Sequence, residues 1–159
     1  MVDLTAENYI VEALKGLATY IAGLGIGVSY NPNGIYADTD IGITIGQGGL
    51  TPKPANQVAI NFYAGAITDS FNPRATQVTV TLPVQLLIRC VESPGLSGTP
   101  LSALSLYSTL YGSLHRRNRV YLGSVFVSEI KETSSTPLGT QDGAALYSMN
   151  LALTGLKPV

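Results

Sequence analysis

The sequence predicts an α+β fold in one domain spanning 1–159, a mostly antiparallel sheet with two amphipathic helices packed on it and a long hairpin near the C-terminus. Three observations carry that prediction. An apolar stripe of helical period opens the chain, a second begins near Thr99, and the stretches between and after them alternate apolar and polar residues with period two. A length of 159 residues suits one domain of ordinary size.

The first helix has a marked start. Thr5 is placed to act as N-cap, Leu4 and Tyr9 to form a hydrophobic staple, and Glu7 falls in the first turn, where the helix dipole favours a negative charge. Ile10, Ala13, Leu14, Leu17, Ile21 and Leu24 then share one stripe. Gly23, Gly25 and Gly27 end it, since glycine is favoured just past a helix C-terminus. They run GxGxG and follow a helix rather than a strand, so they form no dinucleotide fingerprint.

Turn formers dominate from Asn31 to Ala55, with Asn31-Pro32-Asn33-Gly34 as a tight turn and Gly46-Gln47-Gly48-Gly49 as a flexible one. Short strands are expected at Val28 to Tyr30 and at Ile41 to Ile45. Lys53 is the only charge between Ile41 and Thr68, which suits a contact surface, although loop flexibility explains it equally well. Two clean strands follow. Val58, Ile60, Phe62 and Ala64 share a face of the first; the second sets Val78, Val80, Leu82, Val84, Leu86, Ile88 and Cys90 against Gln77, Thr79, Thr81, Gln85 and Arg89. Pro83 on its polar side implies an edge, a bulge or a break into two strands.

The second helix starts with Thr99 as cap and Pro100 at its first position, where a missing N–H costs nothing. Leu104, Tyr107, Tyr111 and Leu114 make its stripe, widened by Leu106 and Leu110. His115, Arg116, Arg117 and Arg119 cluster at its C-terminal end, where cations complement the dipole. A strand from Val120 to Thr133 follows, with Val125 and Val127 on one face and Phe126 and Ile130 on the other. A loop from Ser134 to Gly143 then leads to a closing strand, Ala144 to Thr154, with Ala145, Tyr147, Met149, Leu151 and Leu153 on one face.

Composition narrows the function classes. The chain is 45% hydrophobic and 12% charged, where roughly 25% charged is usual, and its mean hydropathy is +0.25. Much of its surface is therefore expected to be covered. The uncharged run Gly16 to Ala37 holds Asn31, Pro32, Asn33 and five glycines, too many interruptions for a membrane span. Asp3, Glu7 and Glu12 stand where a secretory signal needs basic residues, and the single Cys90 forms neither an internal disulfide nor a CxxC zinc site, so a cytosolic or virion-assembled protein is expected. Net charge is −1, yet residues 1–73 carry six acids against Lys15 and Lys53, and residues 74–119 carry five arginines against Glu92. Two such segments either intermix on one surface or meet across a contact between copies.

No catalytic constellation stands out. His115 is the sole histidine and no GxSxG or P-loop pattern accompanies it; Cys90 reads as a buried, unreactive thiol; Asp38 and Asp40, one residue apart among turn formers, read as solvated or capping groups. No enzyme activity, cofactor or metal is expected. Arg116, Arg117 and Arg119 suit phosphate, but the pI is about 5.7 and Tyr121 is the only aromatic seen beside them, so a solvated helix end is preferred to a nucleic-acid site.

The C-terminal segment carries a family resemblance. Thr136-Pro137-Leu138-Gly139-Thr140-Gln141-Asp142-Gly143, followed by Tyr147-Ser148-Met149-Asn150-Leu151, resembles the ending of small phage minor capsid and tail terminator proteins. The opening helix, the strand Val58 to Tyr63 after Pro52 and Pro54, and the strand ending Val84-Gln85-Leu86-Leu87-Ile88-Arg89 before a second helix follow that family's order over nearly the whole chain. The Gly-rich stretch near Gly46 to Gly49 is longer than the family's, and Ala144 and Ala145 stand where an arginine often follows Asp-Gly. The resemblance implies a structural virion protein, assembled in the host cytoplasm and sited in the tail or neck. Such proteins form a six-subunit ring on the tail tube, stop its polymerisation and join it to the head-completion protein, while DNA passes through the central hole. It further implies contact between copies through Arg116, Arg117, Arg119, Glu7 and Glu12. Contact with the major tail tube protein or head-completion protein would use Gly46, Gly48 and Lys53 in one loop and Pro137, Leu138 and Asp142 in another. Rival readings are a head-completion or minor capsid protein that stays monomeric until docked and, more distantly, a soluble binding domain unconnected with phage.

Overall fold

The computed structural model describes residues 6–32, 41–45, 58–65, 68–70, 77–91, 102–123, 125–141 and 144–158. Thr5, Asp38, Asp40, Gly46, Gly48, Lys53, Thr99, Pro100 and Asp142 lie outside these residues. Helix α1 runs Ala6–Ala22; Ala13, Leu14, Leu17 and Ile21 of the predicted stripe are buried along it and Ala18 joins them, while Ile10 is half-buried and Leu24, also half-buried, lies past the helix end. Past its end Gly25 and Gly27 adopt φ of 72° and 83°, a conformation open to glycine without steric cost.

Strands β1 (Val28–Tyr30), β2 (Ile41–Ile45), β3 (Val58–Ala64), β4 (Thr68–Ser70) and β5 (Gln77–Val91) follow, then helix α2 (Ser102–Leu114) and strands β6 (Arg117–Leu122), β7 (Val125–Gln141) and β8 (Ala144–Pro158). They make one eight-stranded sheet in the order β1-β2-β3-β5-β8-β7-β6, with β4 also paired to β5. The chain is thus mixed α and β, mostly sheet with two helices. The sheet itself is mixed: β1 and β2 pair parallel, as do β2 and β3, while the remaining ladders are antiparallel. Periodicity along a strand reports its faces but not its direction relative to a neighbour, so this parallel end was outside the reach of the pattern.

One apolar cluster joins α1, α2 and the inward residues of the sheet, which places both helices on the same face. Its rows follow the register. Phe62 lies beside Leu86 and Leu86 beside Met149; Ile60 lies beside Ile88, and Val84 beside Leu151. The buried even positions of β5 are Val80, Leu82, Val84, Leu86 and Ile88, as the alternation predicts. In α2 the buried line is Leu106, Leu110 and Leu114, the i, i+4, i+8 series; Tyr107 flanks it and Tyr111 is exposed.

Pro83 sits inside β5 without breaking it. In an extended strand the N–H and C=O of one residue point the same way, and the carbonyl of Pro83 accepts a 2.8 Å hydrogen bond from Gly65 N–H, just beyond β3. Its missing N–H therefore faces the gap between the short strands β3 and β4, where no ladder bond is lost.

Three expectations for the C-terminal half are corrected. The stretch Val120 to Thr133 is two strands, because the chain turns at Gly123 (φ 65°) and pairs Leu122 with Val125. Ile130 is fully buried, not on the face of exposed Phe126: the ladder skips Arg119 and Ser128, Arg119 takes φ 55°, and the strand changes face there. Ser134 to Gln141 are strand rather than loop, with irregularities between Glu132 and Ser134 and between Pro137 and Gly139. Pro137 and Leu138 are consequently exposed strand positions. No helix among the described residues is long and apolar enough to cross a membrane.

Candidate functional site

Two surfaces stand apart from the core, an arginine-bearing edge and an uncovered sheet face. The edge begins where α2 stops at Leu114. No basic residue lies in the last turn of α2; Arg116 is in the turn after it, and Arg117 and Arg119 begin β6, the outermost strand. The predicted dipole role survives in one side chain, since Arg117 Nε donates a 3.0 Å hydrogen bond to the Ser113 carbonyl. Arg116 and Arg119 adopt φ of 59° and 55°, which costs a residue with a Cβ about 1–3 kcal/mol. All three arginines are exposed, and no acidic side chain pairs with them among the described residues. Tyr121, 71% exposed, meets Phe126, 38% exposed, edge to face at 5.2 Å on the same outer hairpin.

His115 is structural in this arrangement. Its Nδ1 accepts a 3.0 Å hydrogen bond from the Glu132 backbone N–H, and its ring stacks on Tyr111 at 4.7 Å and 14°. Glu132 lies just past the residues of β7 that β6 covers, so the imidazole satisfies the first edge N–H left open. The stack continues through Tyr107, 6.1 Å from Tyr111, to Tyr147 of β8 at 4.6 Å. Burial, then the neighbouring Tyr107 and Glu132, raise the Tyr147 phenol above its usual 10. A raised phenol contributes stability fully below the unfolded value near 10 and loses it as pH rises through the folded value. Tyr147→Phe is therefore expected to flatten the fall in stability above about pH 10, read by urea unfolding at each pH.

The second surface is the sheet face opposite the helices. Register places Tyr63 beside Gln85, Gln85 beside Asn150, and Asn150 beside Ser134, one polar row across β3, β5, β8 and β7. Beside it on the same face of β8 is Ser148, 2% exposed and the buried polar residue among those described. Gln85 Nε2 donates to Ser148 Oγ at 2.9 Å, and Asn150 Nδ2 donates to Ser148 Oγ at 3.3 Å and to Ser134 Oγ at 3.4 Å. The row lines a groove of about 560 Å³ whose other walls include Gly65, Pro83 and Ala152. A Cβ on Gly65 would stand 3.0 Å from Pro83 Cγ, so glycine there lets the two segments close the groove wall. Among the described residues no charged side chain lines it. Farther along this face Arg89 Nε is buried with no hydrogen-bond partner.

Of the predicted interface residues, the structure gathers Arg116, Arg117 and Arg119 at one edge, while Glu12 is half-buried on α1 and Glu7 lies on the same helix with its side chain outside the described residues. Pro137 and Leu138 share β7, Leu138 at 50% exposure. The polar row has no signal in the sequence, where Gln85 reads as a residue on the polar side of its strand and Asn150 as part of the motif that carries the family resemblance. Among the described residues no three His, Cys, Asp or Glu side chains group as metal ligands do.

No family model matches the chain, and no curated protein matches it. One solved structure, of a protein named by a sequence identifier alone, resembles it over 94% of each chain at 14% identity and a TM-score of 0.49. At that score the likeness supports no functional reading.

Proposed function

We propose that the chain is a structural virion protein of the phage tail terminator and minor capsid kind, capping the tail tube as a six-subunit ring and joining it to the head-completion protein. One observation carries the reading beyond sequence resemblance. Arg116 in the turn before β6 and Arg117 and Arg119 on that outermost strand stand exposed and without acidic partners among the described residues, beside the exposed Tyr121 and Phe126. Arginine and aromatic side chains dominate the energetics of protein interfaces. A ring needs two different patches per subunit, and the acidic first half of a neighbour, with Glu7 and Glu12 on α1, is the complement of this edge. The ladder of β7 and β8 is read as the family's long hairpin. Pro137 and Leu138 on β7 face the tube or head partners, and Asp142, Gly46, Gly48 and Lys53, which lie outside the described residues, are assigned to the same contacts by the resemblance. DNA passes through the hole without specific binding. The protein assembles in the host cytoplasm and ends in the virion neck.

Native mass spectrometry tests the assembly. A sixfold species is expected, and Arg116→Glu with Arg117→Glu should weaken it about a hundredfold and reduce its salt sensitivity. Assembly unchanged by charge reversal would remove the arginine edge from the contact. A strict monomer at every concentration would instead favour a head-completion protein.

A further inference from the structure

We propose that the groove on the open sheet face binds an extended, uncharged peptide segment of another polypeptide, held by its backbone N–H groups. The proposal rests on hydrogen-bond bookkeeping and is independent of the ring. Both amide protons of Asn150 and one of Gln85 are spent on Ser148 and Ser134. The partners left over are Gln85 Oε1 and Asn150 Oδ1, two carbonyl acceptors that receive no hydrogen bond from any described residue.

A ligand that fits this floor brings donors and no charge. A carboxylate or phosphate would meet two oxygens, and an ammonium would find no anion to neutralise it, since the described walls carry no charged side chain. A peptide backbone supplies N–H groups without charge. Size agrees as well. The row Tyr63, Gln85, Asn150, Ser134 crosses three strand spacings of about 4.8 Å, which is the length of roughly four extended residues. Tyr63 offers a ring against which such a segment packs, and Gly65 lets its backbone come close to the wall. Ser148, buried beside the row, accepts from both carboxamides and holds them, so the acceptors are set before anything binds.

The probe is acetyl-Gly-Thr-Ser-Thr-Gly-amide, titrated into the full-length protein and followed by ¹H–¹⁵N correlation spectra. Saturable shifts are expected in the Gln85 and Asn150 carboxamides and in the Gly65 amide. The same peptide N-methylated at its second and fourth residues should bind roughly tenfold more weakly, as should the unmodified peptide to Tyr63→Ala, a variant outside the core. No saturable shift at millimolar peptide, or equal binding of the N-methylated peptide, would overturn the proposal. So would maltopentaose shifting these signals where the peptide does not, which would make the groove a saccharide site.

Discussion

Phe62→Ala is expected to cost about 3–5 kcal/mol, the range for removing a fully buried aromatic ring. Phe62 is the largest fully buried side chain of the described residues. Its position matters as much as its size. It pairs with Leu86 of β5 on one side and with Ile45 of β2 on the other, so it lies where the antiparallel part of the sheet meets the parallel part. In the strand order β1 and β2 reach the rest of the sheet only through β3. A cavity there removes apolar contact from the one strand that anchors both. The melting temperature should fall by about 6–20 °C, at roughly 2–4 °C per kcal/mol for a chain of this length. Hydrogen exchange should show Val28–Tyr30 and Ile41–Ile45 losing protection before β5 and β8 do. Phe62→Leu, which keeps most of the volume, should cost far less; equal losses for the two variants would mean that cavity formation is not the cause.

The parts of this fold legible in the sequence are those set by local periodicity. Most of the stripe of α1 and the even positions of β5 stand where the pattern puts them, because burial of one face is a property each segment carries by itself; the short strands at Val28 and Ile41 also form where expected, without such a pattern. Pairing is not such a property. The parallel ladders join residues separated by long connections, and the row of Tyr63, Gln85, Asn150 and Ser134 exists only once three registers are fixed together. The turn between β6 and β7 did have a local signal. Leu122-Gly123-Ser124-Val125 sets a Gly-Ser pair between apolar runs, a two-residue hairpin signature that the alternation on either side concealed. The arginines were found as a cluster but placed on a helix end, since nothing local announces that α2 stops at Leu114 and that Arg116 and Arg119 take left-handed backbone.

Gly16→Ala reverses the usual sign of a helix substitution. Alanine inside a helix is normally favoured over glycine by about 1 kcal/mol. At Gly16 the new Cβ would overlap the carbonyl carbon and oxygen of Leu122 and stand 2.8 Å from Gly123 N. These are backbone atoms of the turn between β6 and β7, so no side chain can swing away, and α1 must move off the sheet or the turn must shift. Overpacking of this kind costs about 1–3 kcal/mol, sometimes more, and backbone on both sides puts Gly16 at the upper end. Gly112 is the control. It lies in α2 with nothing within 4 Å of an added Cβ, so Gly112→Ala should stabilise the fold by about 0.5–1 kcal/mol. Urea unfolding of the two variants should therefore shift in opposite directions. The clash also reaches the proposed contact between copies, because the displaced turn closes β6, the strand that carries Arg117, Arg119 and Tyr121. Gly16→Ala should weaken assembly even under conditions where the subunit remains folded, whereas Gly112→Ala should leave it unchanged. Full assembly of a folded Gly16→Ala subunit would show that the position of this hairpin does not matter to the contact.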